Sequence, residues 1–330
     1  MAILVTGGAG YIGSHMVHEL ADAGEPVVVL DNLSTGRAAS LPKSVPLITG
    51  NTGDRALTAK LIAEHRIDAI IHFAASIVVP DSVRDPLGYY RNNTMNTCLL
   101  LESAVAGGVK HFIFSSTAAV YGNPDKVPIS EDAPTHPVSP YGSSKLMSET
   151  LLHDTAQAHG LRFVALRYFN VAGADPKLRT GQSSPGATHL IKVAAETVAG
   201  KRQKVSIYGT DYPTPDGTCI RDYIHVSDLV RAHSAALSYL RKGGANATYN
   251  CGYGRGASVR EVLAAVKRVS GADFPVEVAE RREGDPVSLI ADVTRIRASL
   301  DWKPQYDDLD TIVKHALGWE RCLLAESTQK

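Results

Sequence analysis

Two side chains four residues apart, Tyr141 and Lys145, directly follow Pro140 and have the chemistry for proton transfer. Proline is favoured in the first turn of a helix, and residues four apart share a helix face. A tyrosine hydroxyl titrates near ~10, and a neighbouring ammonium lowers that pKa by stabilising the phenolate. Such a pair is often a plain surface contact, but Thr117 adds a second hydroxyl at the end of the preceding strand. We therefore expect these three residues to handle the proton of a hydroxyl group while a hydride leaves the carbon that carries it.

The first residues of the chain predict a dinucleotide site. Gly7, Gly10 and Gly13 follow an apolar run and lead into a helical period over residues 11–23. Glycines let the backbone approach a pyrophosphate, and the helix N-terminus offers it free N–H groups. Asp31 ends the next apolar run, where its carboxylate would accept hydrogen bonds from ribose hydroxyls. Because a 2′-phosphate would meet that carboxylate, we expect NAD rather than NADP.

The elements that must position these residues alternate along the first half of the chain. Continuous apolar strands separated by helices indicate a parallel sheet covered on both faces, with ligands beyond the carboxyl ends of its strands. We therefore predict an α/β fold of the Rossmann type, a doubly wound parallel sheet. The predicted strands are 3–6, 26–30, 46–49, 68–72, 109–115 and 162–167, and the predicted helices are 11–23, 54–65, 86–107 and 140–159.

The alternation ends near residue 172, where Gly, Pro, Ser and Thr become frequent. We therefore expect a NAD-binding domain over residues 1–172 and a smaller mixed α/β substrate domain over residues 173–330. Two later strands, 220–223 and 247–251, are candidates to return to the main sheet.

Composition excludes several classes of function. Lys plus Arg and Asp plus Glu number 34 each, so no basic surplus favours nucleic acid or an anionic membrane. The four cysteines are scattered without metal-ligand spacing, which predicts neither a metal site nor a disulfide framework. No apolar run approaches the ~18 residues of a membrane span, and no signal peptide precedes the first strand. We expect a cytoplasmic enzyme.

Several longer motifs carry a resemblance to a known family. With the glycine stretch and the Tyr141–Lys145 pair, the chain resembles the extended short-chain dehydrogenase/reductase family essentially from end to end. The segments that carry this resemblance are 31–34, 120–122, 139–142, 166–173, 208–212, 218–225 and 281–285. Within that family they are similar to members that act on nucleotide sugars.

The resemblance implies reversible, NAD-dependent epimerisation at C4 of a UDP-hexose, UDP-glucose or UDP-galactose, through a transient 4-keto sugar. Tyr141 would be the base, with Thr117 on the 4-oxygen and Lys145 on the nicotinamide ribose. The implied cofactor residues are Gly7, Gly10, Tyr11, Ile12, Gly13, Asp31, Asn32, Ser34, Asn51, Thr52, Phe73, Ala74, Ala75, Asn92, Ser115, Tyr141, Lys145 and Phe169. The implied substrate residues are Thr117, Tyr141, Asn170, His189, Leu190, Tyr208, Arg221, Arg282, Asp285 and Leu289.

Three positions depart from the family pattern. Asn51 stands where an Asp usually reads the adenine amino group, and it still offers an acceptor oxygen. Ile77 stands where some relatives have Lys, so one cofactor contact is missing. Leu289 stands at the wall of the sugar pocket, where residue size governs entry of N-acetylated sugars. These departures leave the exact sugar open.

The residues after Thr117 bear on other functions of the same fold. Dehydratases and decarboxylases of the family need an acidic residue just after the catalytic Ser/Thr, but here Ala118 and Ala119 follow Thr117. A 4-epimerase of UDP-N-acetylglucosamine, UDP-xylose or UDP-glucuronate stays open. A non-catalytic NAD-binding sensor and a dehydrogenase that releases NADH are disfavoured. The resemblance also implies a homodimer formed by helices 86–107 and 140–159, with Leu99, Leu100 and Leu101 as candidate contacts that a monomer core would use equally well.

Overall fold

The computed structural model describes residues 1–184, 186–282 and 284–328, apart from the side chain of Thr328. The strands are β1 (Ala2–Thr6), β2 (Val27–Asp31), β3 (Leu47–Thr49), β4 (Ile67–His72), β5 (His111–Ser115), β6 (Arg162–Tyr168), β7 (Asn170–Ala172), β8 (Val205–Tyr208), β9 (Ile220–Arg221), β10 (Tyr223–His225), β11 (Ala247–Cys251), β12 (Ala257–Ser258), β13 (Val276–Ala279) and β14 (Ser288–Leu289). The helices are α1 (Tyr11–Asp22), α2 (Arg55–His65), α3 (Val79–Arg84), α4 (Pro86–Tyr89), α5 (Asn96–Ala106), α6 (Pro140–His159), α7 (Leu190–Val198), α8 (Val226–Arg241), α9 (Val259–Ser270), α10 (Thr294–Ser299) and α11 (Leu309–Thr328).

A seven-stranded parallel sheet organises the molecule, in the order β11-β6-β5-β4-β1-β2-β3. The predicted Rossmann-type fold is therefore confirmed. Neighbouring residues of β1 supply both cores: Ile3 packs with α1 and α8 on one face, and Leu4 packs with α2, α5 and α6 on the other. Since both faces are covered, the strands read as unbroken apolar runs rather than alternating ones. Their carboxyl ends, from Thr6 to Ser115, form one edge.

The second half of the chain contributes to the main sheet and also builds smaller ones. β11 pairs with β6, so residues 247–251 form the seventh strand. The expectation for residues 220–223 is wrong, because β9 pairs with β12 and β14 while β10 pairs with β7. Asp222 lies between them, fully buried, and its carboxylate accepts the backbone N–H groups of Tyr253, Gly254 and Ala291. This anchor holds β9 and β10 beyond the end of the main sheet.

The predicted helix 86–107 is divided. Its α-helical parts α4 and α5 flank a π-helical segment, Tyr90–Met95. Such segments recur at functional sites because the wider turn re-aims side chains. Here the segment carries Asn92 and Asn93 next to α6.

Among the helices of the described residues, none has the length and apolar character that a bilayer crossing requires.

Candidate functional site

The turn between β1 and α1 brings backbone segments together without room for side chains. Gly7 has a φ of 68°, and a Cβ there would lie 2.6 Å from the backbone N of Ala74. A Cβ on Gly13 would lie 2.1 Å from the carbonyl oxygen of Gly7. Gly10 is the N-cap of α1, whose first turn holds no acidic side chain. A helix start exposed in this way suits the pyrophosphate of a dinucleotide.

The end of β2 presents a fixed carboxylate beside this turn. Asp31 is buried, with Oδ2 accepting the N–H of Ala9 at 2.9 Å and Oδ1 that of Leu33 at 2.7 Å. A carboxylate has about four lone-pair sites, so both oxygens keep room for ribose hydroxyls. In the following loop, Asn32 Oδ1 accepts the N–H of Ser34 at 3.0 Å. The buried negative charge fits NAD and opposes a 2′-phosphate.

The predicted adenine and pyrophosphate residues line the neighbouring strand ends. The exposed Asn51 accepts the N–H of Gly53 at 2.8 Å with Oδ1, while Thr52 is buried. Asn92 donates from Nδ2 to Ser76 Oγ at 2.9 Å, just beyond Ala74 and Ala75. Ile77 is exposed.

Three further predicted cofactor residues lie around the same turn. The Phe73 and His233 ring centroids lie 4.8 Å apart, with the ring planes tilted by 41°. Tyr11 donates to the carbonyl of Gly173 at 2.7 Å, and Ile12 follows it in the first turn of α1. The α1 turn is thereby joined to the chain beyond β7.

Tyr141, Lys145 and Thr117 meet where β5 ends and α6 begins. Ser139 caps α6 by accepting the N–H of Gly142 at 3.2 Å, and Pro140 occupies its first turn. Tyr141 and Thr117 are each 8% exposed and Lys145 is 3% exposed. Lys145 Nζ donates to the carbonyl of Ser115 at 2.8 Å. The three predicted catalytic side chains therefore share one buried site.

The electrostatics of this site differ from the expectation drawn from the sequence. Burial raises the pKa of Tyr141 to about 12, and a hydrogen bond with Thr117 opposes that rise. Burial lowers the pKa of Lys145 to about 7, and the carboxylate of Glu149 opposes that fall. This is contrary to the expectation that Lys145 lowers the pKa of Tyr141, because desolvation by burial dominates and the group that opposes the rise is Thr117.

The predicted nucleotide residues lie in the smaller sheets. Arg221 on β9 is buried and pairs with Asp285, which follows Arg282. The Arg282 guanidinium carbon lies 3.8 Å from the ring centroid of Tyr208, at the end of β8. Charged donors and an aromatic face are thus grouped at this end.

The remaining predicted substrate residues lie in a cavity at the start of α7 and beside the segment that follows Thr117. Asn170 begins β7 and lines a cavity with His189 and Leu190 at the start of α7. Phe169 and Leu289 pack against the apolar cluster Ala118, Val120, Tyr121 and Ile129, directly after Thr117. Leu289 therefore stands beside the predicted catalytic residue Thr117, where the sequence places a wall of the sugar pocket.

The sequence did not reveal two buried groups beside the site. Asn93 accepts the N–H of Ser76 at 2.8 Å and donates to its carbonyl at 3.0 Å and to Ser144 Oγ at 2.9 Å. Adjacent amides within a predicted helix, where Asn is disfavoured, were the available signal. The second group is the ion pair of Glu149 with Arg167, 2.6 Å apart. The available signal for this pair was the spacing of Glu149, which lies four residues after Lys145 and eight after Tyr141 and so shares their helix face.

Family membership follows from a match that covers most of the chain. The model of the NAD dependent epimerase/dehydratase family matches residues 3–252. The chain belongs to that family. Within the described residues, no group of His, Cys, Asp or Glu could hold a metal ion, whereas the glycine turn and Asp31 fit the family's cofactor, NAD.

Similar proteins span nearly the whole chain. A UDP-glucose 4-epimerase of Azospirillum brasilense is 59% identical over 97% of this chain and 92% of its own. A UDP-glucose 4-epimerase of Brucella ovis in complex with NAD is 44% identical, with a TM-score of 0.93 over 96% and 97% of the two chains. A UDP-Glc/GlcNAc 4-epimerase of Campylobacter jejuni is 50% identical, with a TM-score of 0.86 over 97% and 99%.

Substituting Gly13 should remove the cofactor. In Gly13→Ala the new Cβ would meet the Gly7 carbonyl at 2.1 Å, so the turn must open and lose its fit to the pyrophosphate. We expect little NAD in the purified variant, measured by release on denaturation. Gly318→Ala in α11 is the control, because its Cβ would meet a leucine side chain at 3.1 Å. Equal NAD content in both variants would contradict this prediction.

The buried lysine should make stability depend on pH. Burial lowers the pKa of Lys145 to about 7, whereas a lysine in an unfolded chain titrates near ~10.4. Between these values the unfolded state binds more protons, so Lys145 makes the protein more stable as pH rises. Urea unfolding of NAD-depleted protein at about pH 6.5 and about pH 9.5 tests this. The free energy of unfolding should rise less between these pH values in Lys145→Met than in the unaltered protein. In Lys60→Met, which removes an exposed lysine, it should rise as much as in the unaltered protein. Identical pH responses in the two variants would refute the prediction.

Proposed function

We propose that this protein catalyses reversible, NAD-dependent epimerisation at C4 of a UDP-hexose, interconverting UDP-glucose and UDP-galactose. The observation that carries the proposal is near full-length similarity to UDP-glucose 4-epimerases, at up to 59% identity among those compared, in a chain that retains Tyr141, Lys145 and Thr117 in one buried site. Ala118 and Ala119 follow Thr117, so the carboxylate that a dehydratase would need there is absent.

The chain's own groups would manage the proton of the sugar 4-hydroxyl. Tyr141 takes that proton and returns it, while Thr117 holds the 4-oxygen by a hydrogen bond. Lys145, fixed by the Ser115 carbonyl, brings an ammonium to the same end of α6. NAD, when bound, supplies the hydride acceptor and a positive charge that favours the phenolate. Burial of all three side chains keeps water from the reacting carbon.

The nucleotide would be held by the second group of residues. Arg221 and Arg282 offer planar donors for the diphosphate, and Asn170 lies near its sugar end. Asp285 would accept hydrogen bonds from the uridine ribose, and Tyr208 would face the uracil. His189 and Leu190 would line the cavity shared with Asn170. Such a grip retains the intermediate while the sugar turns.

A second candidate substrate is UDP-N-acetylglucosamine. The 50% identical protein of Campylobacter jejuni is a UDP-Glc/GlcNAc 4-epimerase. In this chain the sugar wall is Leu289, half-buried against the segment that follows Thr117. Leucine has no hydroxyl to donate and is smaller than tyrosine, which favours room for an acetamido group. UDP-xylose and UDP-glucuronate complete the panel to be assayed.

The proposal extends to organisation and location. The NAD-binding domain would comprise residues 1–172 with α8 and β11 returning to it, and the rest of 173–330 would bind the nucleotide sugar. A cytoplasmic homodimer would pair the α5 and α6 regions, where Met95 is 58% and Met147 is 48% exposed. Leu100 and Leu101 are not dimer contacts, because both lie in the monomer core.

The amount of NADH formed per sugar converted distinguishes an epimerase from a dehydrogenase. Purified protein given UDP-galactose without added NAD should form UDP-glucose, measured by chromatography. No net NADH should accumulate, as measured by absorbance. Tyr141→Phe should retain bound NAD but lose about 10²–10⁴-fold in turnover, because the base is gone. Tyr239→Phe, whose hydroxyl binds the N–H of Ala245 in a surface loop, should keep its rate. Stoichiometric NADH, or an active Tyr141→Phe, would sink the proposal.

Two neighbouring arginines offer a matched test of the diphosphate site. Arg282→Ala should raise KM for the UDP-sugar about tenfold or more and leave NAD content unchanged, because one charged donor is lost. Arg281→Ala is the control, since Arg281 instead binds Asp211 at the surface at 2.6 Å. If KM rises equally in both variants, the diphosphate does not lie at Arg282.

A further inference from the structure

A buried ion pair lies directly behind the proposed catalytic residues. Glu149 and Arg167 are 8% and 7% exposed. Arg167 donates from Nε to Glu149 Oε1 at 3.0 Å and from Nη2 to Oε2 at 2.6 Å. Burying such a pair seldom improves stability over an apolar pair of similar volume, because both charges lose their hydration. Its presence therefore calls for a role other than general stability.

The carboxylate of this pair binds one side of the Thr117 segment. Tyr141, Lys145 and Glu149 repeat at four residues along α6 and so lie on one face. Lys145 Nζ binds the carbonyl of Ser115, and Glu149 Oε1 accepts the hydroxyl of the next residue, Ser116. The face of α6 that carries the proposed base thus also holds the two residues before Thr117.

The guanidinium of the pair binds the other side of the same segment. Arg167 Nη1 donates to the Tyr121 hydroxyl at 3.0 Å, and that hydroxyl donates to Asn250 Oδ1 at 2.7 Å. Asn250 in turn donates to the carbonyl of Ile129 at 2.7 Å. Tyr121 closes the 3-10 turn Ala118–Tyr121 that starts at Thr117. Tethers on both sides of Thr117 therefore converge on one ion pair.

We infer that Glu149 and Arg167 are positioning residues, which hold Thr117 at a fixed depth opposite Tyr141 through the tethers Ser116 and Tyr121. The inference rests on the proposed function, because it takes Thr117 and Tyr141 as the groups that act on the 4-hydroxyl. A shift of about 1 Å in such a group costs up to about 10²-fold in rate. The pair would thus act on turnover rather than on nucleotide binding.

Removing one tether tests this without breaking the ion pair. Ser116→Ala should lower kcat about 10- to 100-fold while KM for the UDP-sugar stays within about twofold. Ser103→Ala is the matched control, since Ser103 is also a buried serine, accepting from Thr58 Oγ1 at 2.8 Å between α2 and α5. Both variants should have similar thermal stability and NAD content. A kcat equal to that of Ser103→Ala would overturn the inference.

A change at the second tether, Tyr121, tests whether both tethers act through the Glu149–Arg167 pair. Tyr121→Phe should also lower kcat with little change in KM. In the double variant Ser116→Ala/Tyr121→Phe, the loss should be smaller than the product of the single losses, because either change already displaces Thr117. A loss equal to the product would mean independent tethers and would overturn the shared role of the pair.

The choice of substrate keeps this inference separate from the proposed function. All variants are assayed with whichever UDP-sugar of the panel the unaltered protein turns over fastest. A preference for another sugar would overturn the proposed UDP-hexose but leave the ratio of Ser116→Ala to Ser103→Ala intact. An unaltered protein that turns over none of these sugars would overturn both.

Discussion

The interaction on which the site depends is the contact of a buried lysine ammonium with the end of β5. Lys145 Nζ has the Ser115 carbonyl at 2.8 Å and the Phe114 ring centroid at 4.8 Å. Burying an ammonium costs several kcal/mol unless other groups compensate for the lost hydration. Here the carbonyl, the ring and the carboxylate of Glu149 offset that cost in part, while burial still lowers the pKa of Lys145 to about 7. The arrangement holds because a rigid parallel sheet presents the strand end to the face of α6.

The two ends of the site are stabilised in different ways before any ligand is considered. At the cofactor end, backbone segments approach closely at Gly7 and Gly13, and the first turn of α1 has N–H groups without helical partners. At the proposed nucleotide end, charged groups already bind one another, as Arg221 does with Asp285. A diphosphate would therefore exchange an existing partner of Arg221 rather than meet a free cation, which reduces the net gain from that contact.

Much of the fold was readable from the sequence, because a strand buried on both faces must be continuously apolar. That requirement predicts the bounds of β1 and β6 to within about one residue. It could not predict that residues 220–223 lie outside the main sheet, since their position depends on the distant backbone N–H groups that Asp222 accepts. The π-helical segment at Asn93 and the pairing of Glu149 with Arg167 depend on tertiary contacts in the same way. Spacing along α6 could place Glu149 on the right face, but could not identify its partner on β6.

Epimerisation needs a loose grip on the sugar and a tight grip on the nucleotide, and the proposed assignment divides polar groups accordingly. On one side of Thr117 the wall is apolar, with Phe169 and Leu289 against the Ala118–Tyr121 turn. An apolar wall has no directional bonds to break when a sugar ring turns over. Arg221 and Arg282, by contrast, offer charge-assisted bonds of fixed geometry, the stronger kind. Binding energy would thus be concentrated away from the reacting carbon, where it retains the intermediate without opposing the rotation that inverts C4.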